Sequence, residues 1–258
     1  MAKDEWLNYN LDNMFSNRDK AILIGLYLSK FDDKGLIELG FDGMVQAFNT
    51  LGYSIGTKPA SIKNYRDEFD PYFPNHRKGW HKRTLREYCE KFLEDYSSLS
   101  FFDFTELVKS FVIQDYEIEK IVERVEKKDK SESVAKRLIT GKSAEEYFKV
   151  NYLSVSQFAN YELKETTNLA CGFDFKLSQQ ANYYCVEVKG LNLSTGSIMM
   201  TEKEFFVASE LKQQYCLFIV MNFAEKPFHE YIFDPLNSRL DFRRVERQVK
   251  QVNYSTVI

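Results

Sequence analysis

Three residues in the second half of this chain could do chemistry together: Asp174, Glu187 and Lys189. Two carboxylates at one point can hold a hard divalent cation such as magnesium, and an amine beside them can orient or activate a water. Asp174 lies in Gly172-Phe-Asp-Phe175, and the other two lie in Tyr183-Tyr-Cys-Val-Glu-Val-Lys-Gly190. These apolar runs flank Ser178-Gln-Gln-Ala-Asn182, which reads as two adjacent strands joined by a short turn. The period of two then puts Glu187 and Lys189 on one face of their strand and Val186 and Val188 on the other. The same spacing also fits an exposed salt-bridge face on an ordinary hairpin, which would contribute little.

The elements around the hairpin must position it. Ser143-Ala-Glu-Glu146 matches a capping box and predicts a helix start, leaving Glu145 free to point elsewhere. Residues 153–161 return toward the sheet. Thr201-Glu-Lys-Glu204 is a second capping box, opening a helix with Phe205, Phe206, Ala208 and Leu211. Residues 215–223 are continuously apolar, as in a strand buried on both faces. Residues 229–233 predict a further strand, and 240–252 a basic tail in helix or strand. The order is that of an α/β (α+β) core with a central mixed sheet flanked by helices.

The first half is helical. Periodicity predicts helices from about residue 17 to 30 and over 41–51, 58–69, 88–99 and 104–113, with Gly35 and Gly40 marking a loop. A charge-dense connecting helix is expected over 115–137. Residues 41–69 have the outline of a helix-turn-helix, whose second helix carries Ser61, Lys63, Asn64 and Arg66, side chains suited to bases and phosphates. Next comes Asn75-His-Arg-Lys-Gly-Trp-His-Lys-Arg-Thr-Leu-Arg86, with five Lys or Arg and two His in twelve residues. That local excess makes Arg77, Lys78, Lys82 and Arg83 candidate phosphate contacts, with Trp80 expected to pack into the core. The chain divides into a helical DNA-recognition domain over 1–130 and a catalytic domain over 131–258.

Composition narrows the class. Lys and Arg number 35 against 38 Asp and Glu, a net charge of −3, so contact with nucleic acid must come from a local patch. Hydrophobic residues make up 44% and charged residues 28% of the 258, as in a globular protein. Cys89, Cys171, Cys185 and Cys216 show no paired-ligand spacing and read as reduced thiols of a cytoplasmic protein. No apolar run is long enough to span a membrane.

Asp174 followed by Glu187-Val-Lys189 resembles the PD-(D/E)xK nuclease signature. Gly141-Lys-Ser-Ala-Glu145 is similar to the helix that precedes the core in many of these nucleases. Gly172-Phe-Asp174, Val186-Glu-Val-Lys-Gly190 and Ile198-Met-Met-Thr-Glu-Lys-Glu204, followed by the 215–220 run, resemble the NO VEIN C-terminal-like branch. The resemblance covers about residues 135 to 235. It implies a Mg2+-dependent phosphodiesterase in which Asp174 and Glu187 ligate the metal. Lys189 would position or help deprotonate the attacking water, and Glu145 would support a ligand or hold a second ion. Gly172-Phe173 stands where the motif's Pro would be. Segments 58–71 and 75–80 resemble the helical part of some bacterial restriction and defence nucleases. Together these imply a type II-like restriction endonuclease acting on double-stranded DNA as a homodimer. A nuclease for modified or non-specific DNA, or a non-catalytic DNA-binding regulator, are the alternatives.

Overall fold

The computed structural model describes residues 15–113, 134–167, 171–245 and 256. Five helices come first: α1 (Asn17–Glu38), α2 (Met44–Ser54), α3 (Pro59–Phe69), α4 (Glu87–Tyr96) and α5 (Phe101–Val112). Helix α6 (Val134–Asn151) leads into β1 (Glu162–Glu165), β2 (Phe175–Gln179) and β3 (Asn182–Gly190), and then come α7 (Glu202–Leu211), β4 (Tyr215–Met221) and β5 (Phe228–Phe233). The fold is mixed α+β. The five strands lie in sequence order, with only β3 and β4 parallel. A parallel neighbour requires a crossover, and α7 supplies it.

Several expectations change. Helix α1 runs through Gly35 rather than ending in a loop there, because it bends at Asp32 (φ +46°, ψ −130°) and resumes. Arg77 donates a hydrogen bond to the Asp32 carboxylate, anchoring the bend. Ser143 is not an N-cap. Helix α6 already began at Val134, and the buried Ser143 hydroxyl bonds Ile139 O (2.6 Å) and Thr50 O (2.7 Å). Thr201 is the cap expected, with both arms of its capping box formed. Strand β1 was not anticipated. The helix expected over 115–137 falls mostly on residues outside those described, as do the boundary at 130–131 and most of the 240–252 tail.

Two main apolar cores form. One gathers α1 to α5 around residues such as Leu23, Tyr27, Phe69 and Phe104, and takes in Ile139 of α6. The other packs Ala144 and Phe148 of α6 on Val186, Val188, Phe175 and Phe218 of the sheet, with Tyr53 of α2 against it. Helix α6 thus contributes to both cores. Polar contacts reinforce the seam: Gln46 Nε2 donates to Asn192 Oδ1 (2.7 Å), and Asn49 Nδ2 to Phe223 O (2.8 Å) and Glu225 O (2.7 Å). Cys89, Cys185 and Cys216 are buried, and all four cysteines are free thiols. No described helix is long and apolar enough to cross a membrane.

Candidate active site

Asp174 sits just before β2, at the end of a tight approach. Gly172 takes φ +92°, and a Cβ there would meet Val207 Cγ2 at 2.9 Å, so a side chain is excluded on two grounds. The Asp174 N–H donates to Val186 O (3.0 Å) and its Oδ2 accepts the Val188 N–H (2.9 Å). The carboxylate is therefore fixed across the β3 backbone on either side of Glu187.

Strand β3 is flanked by β2 and β4 and carries the other two residues. Val186 and Val188 enter the apolar core, so the period of two turns Glu187 and Lys189 to the opposite face, as the spacing predicts. Lys189 Nζ donates to Glu187 Oε1 (2.6 Å) and to Glu204 Oε2 (2.8 Å) at the start of α7. Glu204 Oε2 also accepts the Thr201 N–H (3.0 Å), so the capping box that starts α7 also aims a carboxylate at Lys189.

Helix α6 lies close on β3. A Cβ on Gly190 would come within 2.8 Å of Thr140 O and 3.1 Å of Ala144 Cβ. Only a glycine lets the helix so near, and this approach carries Glu145 into the field of Asp174.

Acidic groups crowd this corner. Burial and then Asp174 push Glu187 up to about 8, and burial and then Asp174 and Glu165 push Glu145 up to about 7. Burial raises Asp174 to about 6, against the pull of the Val188 N–H and Lys189. Burial disfavours the Lys189 charge, but Glu187 and Glu204 outweigh it and hold the amine above its ordinary value. The corner is short of positive charge even with Lys189 in place.

That deficit suits a divalent cation at Asp174 and Glu187. Asp174 Oδ1 and Glu187 Oε2 accept no hydrogen bond among the described residues. Among the same residues, no three His, Cys, Asp or Glu side chains gather tightly enough to hold an ion by themselves. A magnesium ion here would keep waters or phosphate oxygens in its shell, as magnesium commonly does.

Residues 144–233 match the family described as Protein NO VEIN, C-terminal. The matched stretch runs from just before Glu145 to the end of β5 and holds Asp174, Glu187, Lys189 and Glu204. No curated protein and no solved structure matches the chain.

The sequence singled out Asp174, Glu187, Lys189 and Glu145, and the structure brings them to one corner. It missed three others. Glu204 reads as a cap residue alone, although its second role places it on Lys189. Glu165 ends the unforeseen β1 and lies in the field of both Asp174 and Glu145. Lys149 bridges Glu146 (2.7 Å) and Glu165 (2.8 Å). A lysine three residues after Glu146 was the one available signal for that bridge.

The candidate DNA contacts divide. Helix, turn and helix are present in α2 and α3, with Gly56 at φ +66° in the turn. Lys63 and Asn64 are exposed on α3 and Ser61 is half-buried. Arg66 is not a surface reader: it is buried and pairs with Asp67 (2.7 Å) and Asp70 (3.6 Å). Arg77 is half-buried and joined to Asp32 and to the fully buried Asp70 carboxylate. Lys78, Lys82 and Arg83 are exposed. Trp80 is half-buried and joins no apolar core cluster, contrary to expectation.

Proposed function

We propose that Asp174, Glu187 and Lys189 form the centre of a magnesium-dependent phosphodiesterase that hydrolyses double-stranded DNA. The observation that carries this is the convergence of two cation-deficient carboxylates and a charged lysine on adjacent strands, within a segment that matches the NO VEIN C-terminal family. Asp174 and Glu187 would hold the metal, which when bound would supply a Lewis acid and a more acidic water.

The chain's own residues do the rest. Lys189 is held charged, so it donates: it orients the attacking water and offsets charge that builds on the phosphate oxygens as the P–O bond breaks. Glu187 and Glu204 fix its amine in place. Glu145 helps to set the charge that Asp174 feels. The helical half brings DNA to this centre, with Lys63, Asn64, Lys78 and Lys82 as its exposed contacts. Site-specific cutting of both strands calls for two such centres, so the working unit in this reading is a homodimer of the type II restriction class, acting in a bacterial cytoplasm.

The test is incubation of the protein with plasmid or phage DNA and magnesium, followed by sequencing of the ends. Discrete fragments with a shared end motif support site-specific cleavage, and a smear supports a non-specific nuclease. Tight complexes with no cleavage in magnesium or manganese would overturn the catalytic reading in favour of a DNA-binding regulator.

A further inference from the structure

Between α3 and α4, Gly79, Trp80, His81, Lys82 and Arg83 line an open cavity of about 260 Å³. None of its lining belongs to the carboxylate corner. The loop is held on α3 by its own backbone. Trp80 N–H donates to Asp67 O (2.7 Å), and Gly79 turns at φ +51° so close to α3 that a Cβ would lie 2.2 Å from Asp67 O. Trp80 is thus presented by a fixed turn.

Among the described residues, Trp80 joins none of the apolar clusters, and Arg86 stands over its ring at 5.9 Å. The Arg83 guanidinium carbon lies 3.6 Å from the Trp80 ring centre, and Arg86 stands over the neighbouring Tyr88 at 4.8 Å and Tyr65 at 5.3 Å. Arg18 also stands over Tyr88, at 4.0 Å. Flat aromatic and guanidinium surfaces therefore alternate across this face.

The charge here is in surplus. Glu68 is almost fully buried and is engaged by Arg86 through several hydrogen bonds, while Arg83 reaches the same carboxylate only at 3.7 Å. Arg66 and Arg77 are taken up by Asp67, Asp70 and Asp32. Lys78 and Lys82 are exposed beside the stacking surface that Trp80 and the Glu68-paired Arg83 form.

We propose that this cavity is a binding site for an unpaired nucleobase together with its flanking phosphates. A base stacks on the Trp80–Arg83 surface, since every base offers a flat π face, and Lys78 and Lys82 hold the phosphates beside it. A fully paired duplex shields its base faces and offers only phosphates. The site therefore favours DNA in which a nucleotide is bulged or turned out of the stack, a cost that falls on the duplex and is smallest where pairing is already disturbed. The inference rests on the DNA-directed reading above for its substrate, but not on cleavage.

The experiment is a binding titration in EDTA, without metal, using the full chain with Trp6→Phe so that Trp80 is the sole reporter. The probes are a paired 12-base-pair DNA duplex, the same duplex with one bulged thymidine, a 12-nucleotide RNA and free thymidine monophosphate. The bulged duplex is expected to quench Trp80 emission and to bind at least about tenfold more tightly than the paired one. Trp80→Ala is expected to abolish that preference while leaving paired-duplex affinity unchanged, and Trp80→Phe to keep most of it. Equal binding of the two duplexes with Trp80 emission unmoved would overturn the proposal. So would binding of the RNA or the free nucleotide with no binding of the bulged duplex. Since no metal is present, loss of cleavage in a separate assay would leave this result standing, and cleavage without a Trp80 effect would remove this proposal alone.

Discussion

Lys189 Nζ bonds Glu187 Oε1 at 2.6 Å on its own strand and Glu204 Oε2 at 2.8 Å on α7. A single amine therefore ties the central strand to the crossover helix, and its position depends on the cap that starts that helix. Lys189→Ala is expected to lower cleavage by about a hundredfold or more while DNA binding persists. Gel shifts and plasmid nicking on the same preparation check both halves, and full activity would remove Lys189 from the centre. Thr201→Ala, which removes the cap oxygen, is expected to cost about 1 kcal/mol of stability and to reduce activity only partly.

The acidic corner sets a pH dependence for the metal-free protein. Burial, with the neighbouring carboxylates, pushes Glu187, Glu145 and Asp174 well above their unfolded values when folded. The folded state then binds more protons than the unfolded state, so stability falls as pH rises from about 5 to about 8. Melting temperatures should decline across that window and flatten in Glu187→Gln. Magnesium binds the ionised carboxylates, so it should raise the melting temperature more at pH 8 than at pH 5.5. An equal rise at both pH values would argue against a cation at these two groups.

Gly190 is where α6 touches β3. Gly190→Ala forces the added carbon against Thr140 O and Ala144, at an expected cost of about 1–3 kcal/mol. Helix α6 must shift away, carrying Glu145 with it. Denaturant titration reads the first effect, and residual cleavage measured well below the melting temperature reads the second.

Arg77 and Lys82 stand close in sequence but should behave differently. Arg77→Ala removes the nearest cation from the buried Asp70 carboxylate, leaving it Ser29 and the more distant Arg66, and releases the bend at Asp32, so a loss of about 1–3 kcal/mol in stability is expected. Lys82→Ala should leave stability unchanged, weaken DNA binding and reduce the slope of log affinity against log salt by about one. Unfolding curves and binding at several salt concentrations separate the two.

Local rules were legible where they act alone. The Thr201 cap, the alternation along β3 and the apolar β4 are each contained within a few residues, and the carboxylates and lysine follow from them. The Ser143 pattern obeys the same capping rule, yet a short window does not register that residues 134–142 are already helical. Strand β1 was hidden because Glu162-Leu-Lys-Glu165 is mostly charged, a composition depleted in strands. It forms because β2 offers an unpaired edge. The basic run looked uniformly external because Asp32, which engages Arg77, lies 45 residues away. Burial, not charge density, separates Arg77 from Lys78.

Asn49 and Gln46 reach from α2 to the loops that follow β4 and β3. In modular terms, α2 serves both sides of the change from helices to strands. A fragment starting at residue 134 would leave the Phe223 and Glu225 carbonyls and the Tyr147 ring without the α2 side chains that meet them. Exchanging the proposed recognition half between related proteins would therefore have to keep α2 packed with α1 and α3 and preserve its side chains toward Asn192, Phe223 and Glu225.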